Sequence, residues 1–387
     1  MGEQKANIGL IPNAPLPTLF PIVGQGPVGI AKLAAQGEKA GERHLVEFRT
    51  MEPRSLLNRV VSKRMPWMTW TINPYRGCEF GCRYCYARYT HAFLEKRDPA
   101  LFEREIYIKQ HAAWLLRQEL KQVRPDEHIA LGTATDPYQP IEREAKVTRS
   151  LLEVFAEQRG LRLGIVTKST LIERDNDLLV RIAQRNRLTL HVTITTRDAQ
   201  LARILEPRAP RPDMRFRTVE RLRAAGLRVG VLCSPLMPGI TDTAQALEAM
   251  ARRAKKAGAC FFSAQPLFLK PCSKPVFLRF IQDHFPQLEK AYETRFRDNA
   301  FVSKAYRERV GALVRAVVRK HGLGARDGES GSYEAIELRS PVEHSESRTK
   351  SGAQSLAVAG GESGLQPMGW AEQTEFWPGV KKAVQSA

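Results

Sequence analysis

The feature that most constrains the fold of this chain is a regular alternation of short apolar runs and longer amphipathic stretches. The apolar runs, which are rich in β-branched residues, predict strands over Thr69–Asn73, His128–Ala134, Arg162–Thr167, Leu188–Thr193, Arg228–Leu232 and Cys260–Ala264. The stretches between them predict helices over Gln110–Gln122, Thr148–Gln158, Asp175–Arg185, Arg215–Ala225 and Thr243–Ala257. Six strands, each followed by a helix, indicate a parallel sheet with right-handed crossovers. The sequence therefore predicts an α/β fold, a six-unit βα array closed part-way into a barrel.

The carboxyl ends of the predicted strands are the positions where such arrays carry their chemistry. Polar residues follow the strands there, namely the Cys78 cluster, Thr135 and Asp136, Lys168 and Ser169, Thr195 and Thr196, the loop from Ser234 to Asp242, and Gln265. Several of them would also suit a helix N-cap, above all Thr135 or Asp136 and Ser169, because their side-chain oxygens can accept hydrogen bonds from free backbone N–H groups. Both interpretations stay open at this point.

Composition divides the chain into four regions. Residues 1–45 are rich in Gly, Pro and Ala and lack a sustained period, which predicts a flexible, irregular leader. Residues 46–66 predict a strap packed on the main body, and residues 67–325 form the predicted core domain. From residue 326 to 387 the composition changes to Gly, Ser, Glu and Ala, which predicts a disordered tail.

Apolar segments and cysteine usage bear on the compartment. No segment approaches the roughly 20 uninterrupted apolar residues that a membrane-spanning helix needs. Six cysteines in 387 residues are too few for a disulfide framework, and three of them lie within eight positions. We therefore expect a cytoplasmic protein without a membrane partner, with a metal site kept in reduced form.

The most informative string is NPYRGCEFGCRYCYARYTH, residues 73–91, in which Cys78, Cys82 and Cys85 are spaced C-x3-C-x2-C. Glycines at 77 and 81 would let the backbone fold closely around a metal centre. A structural zinc site needs four ligands, and the nearest fourth candidate, His91, lacks the usual spacing. An iron–sulfur cube bound by three cysteines would leave its fourth iron open for a substrate or cofactor. Three buried, unreactive cysteines are the remaining alternative.

Two motifs carry a resemblance to a known family. The three-cysteine loop, with Tyr84 just before its last cysteine, resembles the signature of the radical S-adenosylmethionine (SAM) superfamily. Together with GTATDPYQPIE at residues 132–142, it resembles the DNA repair photolyase-like branch, which is related to spore photoproduct lyase. The resemblance covers roughly residues 44–322. It implies a partial (βα)6 TIM-like barrel of the radical SAM type.

The resemblance also implies cofactors and chemistry. Cys78, Cys82 and Cys85 would bind a [4Fe–4S] cluster whose unique iron chelates SAM. One electron, supplied by a reductant such as flavodoxin or ferredoxin, would cleave SAM to methionine and a 5′-deoxyadenosyl radical, which abstracts hydrogen from the substrate. The protein would position SAM and exclude water and oxygen.

Further site residues follow from the same resemblance. Tyr84 would lie near the adenine of SAM, Thr135 and Asp136 would receive its amino group, and Lys168 would contact its carboxylate. Thr133 is a further candidate for the amino group. Weaker expectations are Thr193 for the ribose and Arg217, before the fifth strand. The alternatives are packing beside the cluster for Tyr84 and a solvated surface position for Lys168.

One departure concerns the hydrogen donor. Spore photoproduct lyase carries a cysteine at the end of its second strand, where this chain has Thr133. A hydroxyl hydrogen is held too strongly to replace a thiol hydrogen, which argues against the thymine-dimer repair reaction of that enzyme. Cys233, at the end of the fifth strand, is the candidate donor; the alternative is a small buried filler.

Charge bears on the substrate. The chain has 60 Lys and Arg against 41 Asp and Glu, a net charge of +19, and residues 1–326 alone carry +23. This surplus, with the mixed basic and aromatic residues of 63–70 and 83–91, favours nucleic acid as the partner and substrate of a radical SAM lyase. The alternatives are a radical SAM enzyme that modifies a peptide or small molecule and a non-enzymatic metal-binding module.

Overall fold

The computed structural model describes residues 26–43, 45–61, 68–125, 127–324 and 326. Residues 1–25 of the predicted leader, residues 62–66 at the end of the predicted strap, residue 67 at the start of the predicted core and residues 327–387 of the predicted tail lie outside the described residues. Among the described residues, no helix is both long and apolar enough to cross a membrane.

The described residues form eleven strands: β1 (Lys39–Arg43), β2 (Val46–Met51), β3 (Leu57–Arg59), β4 (Trp70–Ile72), β5 (Tyr75–Arg76), β6 (Glu105–Lys109), β7 (His128–Leu131), β8 (Arg162–Thr167), β9 (Arg187–Thr193), β10 (Val229–Leu232) and β11 (Phe262–Ser263). The α-helices of the same residues are α1 (Gly29–Ala35), α2 (Leu101–Arg104), α3 (Ala112–Glu119), α4 (Glu142–Ala145), α5 (Val147–Glu157), α6 (Asn176–Arg185), α7 (Ala199–Leu205), α8 (Pro212–Ala224), α9 (Ala244–Lys256), α10 (Lys274–His284), α11 (Glu289–Arg295) and α12 (Lys304–Lys320). Short 3₁₀ helices cover Tyr86–Leu94, Leu120–Gln122, Thr170–Asp175 and Pro286–Leu288.

Seven strands form the main sheet, in the order β11-β10-β9-β8-β7-β4-β3. Every pair from β4 to β11 is parallel, and the edge strand β3 runs antiparallel to β4. The parallel strands follow one another in chain order, and helices fill the connections between them. This confirms the predicted six-unit βα array, with all six strands at the predicted positions.

The parallel strands are apolar because both of their faces are covered. All four residues of β10 and six of the seven residues of β9 are buried. Continuous apolar runs of this kind are typical of parallel sheets, whose faces both pack against other elements. Because these strands are parallel, their carboxyl ends lie at the same end of the sheet, and the candidate site lies there.

A second sheet of four strands, in the order β1-β2-β6-β5, stands beside the first. Residues 29–43, which sequence analysis places in an irregular leader, contain α1 and β1 instead, and β2 and β3 lie within the predicted strap. Val46, Phe48 and Met51 of β2 are buried. Val46 and Phe48 alternate with the charged residues Glu47 and Arg49, so one face of β2 packs inward and the other carries charge.

Polar residues at strand ends also begin helices, as expected for caps. The Ser169 hydroxyl accepts a hydrogen bond from the Leu171 N–H at the start of the 3₁₀ helix Thr170–Asp175. Asp198 caps α7 and Thr243 caps α9 in the same way. These contacts satisfy N–H groups that have no partner within the helix.

Candidate active site

The three cysteines of the predicted cluster lie on the loop between β5 and the 3₁₀ helix Tyr86–Leu94. Cys78 and Cys82 are buried, Cys85 is half-buried, and all three thiols are free. Burial raises the pKa of the Cys82 thiol to about 12 and raises those of Cys78 and Cys85. Without a metal these thiols are therefore protonated, and binding iron would release their protons.

Backbone conformation and close packing explain why glycine occupies two positions of this loop. Gly77 and Gly81 have positive φ angles of 78° and 62°. A Cβ at Gly77 would lie 2.6 Å from the carbonyl oxygen of Glu105 and 2.8 Å from that of Phe102. The backbone N–H of Cys78 donates to the same Phe102 carbonyl at 2.9 Å. The loop is thus held tightly against the segment that leads into β6.

The arrangement of the thiols bears on which metal they could bind. Among the described residues, no three His, Cys, Asp or Glu side chains are grouped as ligands of a single metal ion. His91 does not complete a zinc site, because its Nε2 lies 3.0 Å from the Glu105 carbonyl oxygen and its ring packs on Phe102. A cluster whose irons each bind one thiolate does not require the three sulfurs to converge on one point.

The end of β7 carries the GTATD motif. The Thr135 hydroxyl donates to the Tyr75 carbonyl oxygen at 3.2 Å, which ties the strand end to the cysteine loop. Asp136 accepts hydrogen bonds from the Thr167 hydroxyl at 2.7 Å and from the Lys168 and Tyr138 N–H groups at 2.7 and 2.9 Å. Asp136 therefore joins the ends of β7 and β8.

Thr133 differs from these two residues. Its Oγ1 is buried and has no hydrogen-bond partner among the described residues. A buried hydroxyl without a partner costs free energy unless a ligand or water completes it. Thr133 is thus the residue of this motif whose side chain is available to a ligand.

Lys168, just after β8, points toward the same region. Its Nζ lies 5.7 Å from the centroid of the Tyr84 ring. Burial opposes the charge of Lys168, but the carboxylate of Glu206 attracts it, and the pKa of Lys168 is raised above the ordinary value. Lys168 is therefore a cation beside the cysteine loop and not a solvated surface lysine.

Tyr84 is held by a buried polar network that sequence analysis does not predict. Its hydroxyl donates to Glu206 and lies 3.0 Å from the Thr195 hydroxyl. Glu206 forms an ion pair with Arg215 at 2.5 Å, and both side chains are only 1% exposed. Burial opposes ionisation of Glu206, but the charge of Arg215 holds its pKa below the ordinary value. The network fixes the Tyr84 ring next to Lys168.

The position of Arg215 corrects an expectation. Arg217 is the weakest of the site expectations from sequence, and it is exposed on α8, whereas Arg215 lies among the buried positions of that helix. The Arg215 guanidinium donates to the Thr193 carbonyl oxygen at 3.0 Å. A charged residue in register with the apolar face of α8 is the signal that could have identified it.

Thr193 and Cys233 lie at the ends of β9 and β10. Thr193 is buried, and its carbonyl is held by Arg215. Cys233 is 1% exposed, and its thiol lies 3.6 Å from the Thr195 carbonyl oxygen. Burial raises the pKa of Cys233 to about 12, so its sulfur keeps its hydrogen near neutral pH.

Aromatic residues and a lysine lie beside the cysteine loop. The rings of Tyr86 and Phe268 are 5.2 Å apart, and Phe268 stacks on Phe301 at 5.4 Å. Lys270 lies 3.7 Å from the centroid of the Tyr89 ring. All five residues are half-buried, so they form a partly open surface of rings and positive charge.

Several basic and aromatic residues of the segments 63–70 and 83–91 bind other residues and do not lie on this surface. Arg88 is buried in an ion pair with Glu103 at 2.5 Å. The Trp70 indole N–H donates to Glu127 at 2.9 Å. Residues 63–67 lie outside the described residues. Tyr86 and Tyr89 are the aromatic residues of 83–91 that remain on the partly open surface.

The fold and the loop define an α/β barrel-type protein with a thiol-rich site at the carboxyl ends of its strands. The family model of the radical SAM superfamily matches residues 72–254. The chain is 31% identical over 281 residues to the uncharacterized protein Rv2578c of Mycobacterium tuberculosis, covering 72% of this chain and 82% of that protein. It is 27% identical over 183 residues to the uncharacterized protein MJ0683 of Methanocaldococcus jannaschii, covering 46% and 64%.

Solved structures show the same fold. A spore photoproduct lyase variant with bound AdoMet and dinucleoside spore photoproduct matches with a TM-score of 0.55 and 17% identity, over 72% of this chain and 80% of that chain. The chain belongs to the radical SAM superfamily. Enzymes of this superfamily use a [4Fe–4S] cluster and SAM, and this protein is an enzyme of that kind.

Proposed function

We propose that this protein is a radical SAM enzyme of the DNA repair photolyase-like type, possessing lyase activity on a nucleic-acid substrate. The observation that carries the substrate class is the surface beside the cysteine loop, where Lys270 lies over Tyr89 and the rings of Tyr86, Phe268 and Phe301 follow one another. Unstacked bases bind aromatic faces, and cations bind the phosphates that accompany them.

The proposed cluster ligands are Cys78, Cys82 and Cys85. The loop fits this role because it offers three free, reduced thiols and a backbone that Gly77 brings close to its neighbours. When bound, the cluster supplies the electron that cleaves SAM reductively to methionine and the 5′-deoxyadenosyl radical. The chain's own contribution is to hold the thiols, bind SAM and shield the site from water.

We assign the SAM contacts from the charge of each side chain and from whether it already has a hydrogen-bond partner. Lys168 would bind the SAM carboxylate as a point cation, since it is charged and lies beside the cysteine loop. Asp136 would accept the amino group, and its hydrogen bonds to β8 hold it in place. Thr133, whose hydroxyl has no partner among the described residues, would add a further contact, while Thr135 would support the loop.

Tyr84 and Thr193 would face the nucleoside part of SAM. The contacts of Tyr84 with Glu206 and Thr195 fix its ring, so it can pack against an adenine without losing further rotational freedom. We also propose a cytoplasmic setting, where thiols stay reduced and a reductant such as flavodoxin or ferredoxin is available.

The radical chemistry is tested with the anaerobically reconstituted, reduced protein and SAM. We expect the wild type to release 5′-deoxyadenosine and a Cys82→Ala variant to release none above background. Cys260→Ala is the matched control, because Cys260 lies before β11, at the opposite end of the strand from the site. Wild-type release by Cys82→Ala would contradict the assignment of Cys82 as a cluster ligand. No product from the wild type would instead favour a metal-binding module.

The substrate class is tested with oligonucleotides deuterated at candidate positions. We expect the label to appear in 5′-deoxyadenosine when an oligonucleotide is the substrate. Label transfer from deuterated peptides, with none from any oligonucleotide, would favour the alternative, a peptide-modifying enzyme.

Cys233 is the proposed hydrogen donor to the product radical. Its thiol is buried near the Thr195 and Glu206 side of the site, where it keeps its hydrogen. We expect Cys233→Ser to release 5′-deoxyadenosine but to form at least tenfold less product. Equal product yields in the two proteins would identify Cys233 as a packing residue.

A further inference from the structure

Two basic residues of the second sheet, Arg76 and Lys109, lie close together beside the cysteine loop. Arg76 on β5 is paired with Tyr107 on β6, and Lys109 follows Tyr107 by two residues. Residues two apart on a strand share one face, so Arg76 and Lys109 lie on the same face of the sheet. Lys109 is only 6% exposed, whereas Arg76 is half-buried.

Neither side chain has a partner of opposite charge in the part of the chain that the structure describes. Among the described residues, Arg76 and Lys109 form no ion pair or side-chain hydrogen bond, and Nε of Arg76 is buried without a partner. An unpaired buried cation is expensive, because the interior does not replace the water that it loses. Burial and then the charge of Arg76 lower the pKa of Lys109 to about 7.

The carboxylates nearby are committed elsewhere. Glu105 pairs with Lys96 at 2.5 Å, and Glu47 pairs with Arg49 at 2.8 Å. Glu119 attracts Lys109 from a distance, but its oxygens accept hydrogen bonds from two backbone N–H groups before and within β3, at 3.0 and 2.7 Å. The described part of the chain thus supplies two basic side chains at this place and no free anion.

We propose that Arg76 and Lys109 form a binding site for a phosphate-type oxyanion. The forked guanidinium of Arg76 matches two oxygens of such a group, and the ammonium of Lys109 adds a point charge from the buried side. The partial exposure of Arg76 gives the anion its route of entry. Arg76 stands two residues before Cys78, so a bound phosphate lies next to the candidate active site.

Which molecule carries the phosphate is a separate question from whether the anion site exists. If the proposed function is correct, the site holds a backbone phosphate of the nucleic-acid substrate while a base occupies the surface of Tyr86 and Phe268. The anion site itself does not depend on that function, since it rests on the unpaired cations alone.

The site is tested by thermal unfolding of the reconstituted protein in increasing inorganic phosphate, with sodium chloride at matched ionic strength as the reference. We expect a saturable rise in Tm of about 2 °C or more, since a ligand that binds only the folded state stabilises it. Absence of a saturable rise in the wild type would overturn the proposal.

The variant Lys109→Met is expected to raise Tm in the absence of phosphate. It removes a buried charge and keeps an apolar side chain of similar length, so its Tm in chloride should exceed that of the wild type, and phosphate should no longer raise it. Lys290→Met, on the exposed surface of α11, should respond to phosphate as the wild type does. An undiminished response in Lys109→Met would contradict the assignment. Arg76→Gln, with phosphate binding measured by calorimetry, provides the second variant should Lys109→Met not fold.

Oligonucleotides distinguish the source of the phosphate. We expect single-stranded DNA to abolish the further rise in Tm with inorganic phosphate, and Lys109→Met to bind it at least threefold more weakly. A phosphate response that DNA leaves unchanged would assign the site to a small phosphate compound and contradict the nucleic-acid source. Release of 5′-deoxyadenosine is measured in parallel, so failure of the radical chemistry is separable from failure of the anion site.

Discussion

At the scale of single residues, the ion pair of Glu206 and Arg215 is the main support of the candidate site. Both side chains are buried, and through Tyr84, Thr195 and the Thr193 carbonyl they connect the cysteine loop to the end of β9. A buried pair of this kind contributes little over an apolar pair, but removing one partner leaves a buried charge uncompensated. Its role is therefore to hold one geometry at the site.

Glu206→Gln should destabilise the protein by about 3–5 kcal/mol at pH 7, because Arg215 would lose its counter-charge in a buried position. Urea unfolding measures this change. Glu220→Gln is the control, since Glu220 pairs with Arg253 at 2.8 Å on the surface and such pairs contribute about 0–1 kcal/mol. Equal losses of unfolding free energy in the two variants would show that the buried pair contributes no more than a surface pair.

The pH dependence of the same pair has a definite sign. The pKa of Glu206 is lower in the folded protein than in the unfolded chain, so its contribution is present above the unfolded pKa and is lost as pH falls through the folded pKa. We expect the stability difference between wild type and Glu206→Gln to shrink in acid. A difference that grows as pH falls would contradict this account.

At the scale of elements, the loop after β5 depends on close contact with the segment before β6. Gly77→Ala should cost more than Gly226→Ala, although both glycines have φ near 80°. A Cβ at Gly226 meets nothing within 4 Å, whereas one at Gly77 meets two backbone carbonyl oxygens. The control thus measures the cost of the left-handed backbone alone, about 1–2 kcal/mol.

Unfolding free energies of both variants, with iron content after reconstitution, test this expectation. We expect Gly77→Ala to lose iron binding and Gly226→Ala to keep it. If Gly77→Ala matched Gly226→Ala in both stability and iron content, the close approach of the loop would be irrelevant to the site.

At the scale of the whole molecule, the positive surplus belongs to residues 1–326, with 55 basic against 32 acidic residues. If the proposed partner is correct, the affinity for single-stranded DNA should fall as salt rises, with a logarithmic slope near −0.7 for each phosphate contacted. Lys270→Met should reduce that slope by about one contact. Fluorescence anisotropy over a salt series measures it, and no binding at low salt would argue against nucleic acid.

Much of the fold was predictable from local patterns. The six parallel strands and the helices between them follow from runs of apolar residues and from amphipathic periods, which are properties of adjacent residues. The second sheet was not predictable in the same way. Residues 29–43 lack a strong period. Their strand pairs with β2, and Ala34 of their helix packs in one apolar cluster with Met51, Leu94 and Tyr107, which come from later in the sequence.

The sequence by itself determined the barrel array, the superfamily and the three-cysteine loop, because motif spacing and local periodicity are written in neighbouring residues. Only the tertiary structure decided that Glu206 and Arg215 hold Tyr84, that Arg215 and not Arg217 faces the site, and that Arg76 and Lys109 meet without an anion. These contacts join residues that are far apart in the chain, and burial affects the charge of the ionisable side chains among them. The distances between such residues cannot be read from local sequence.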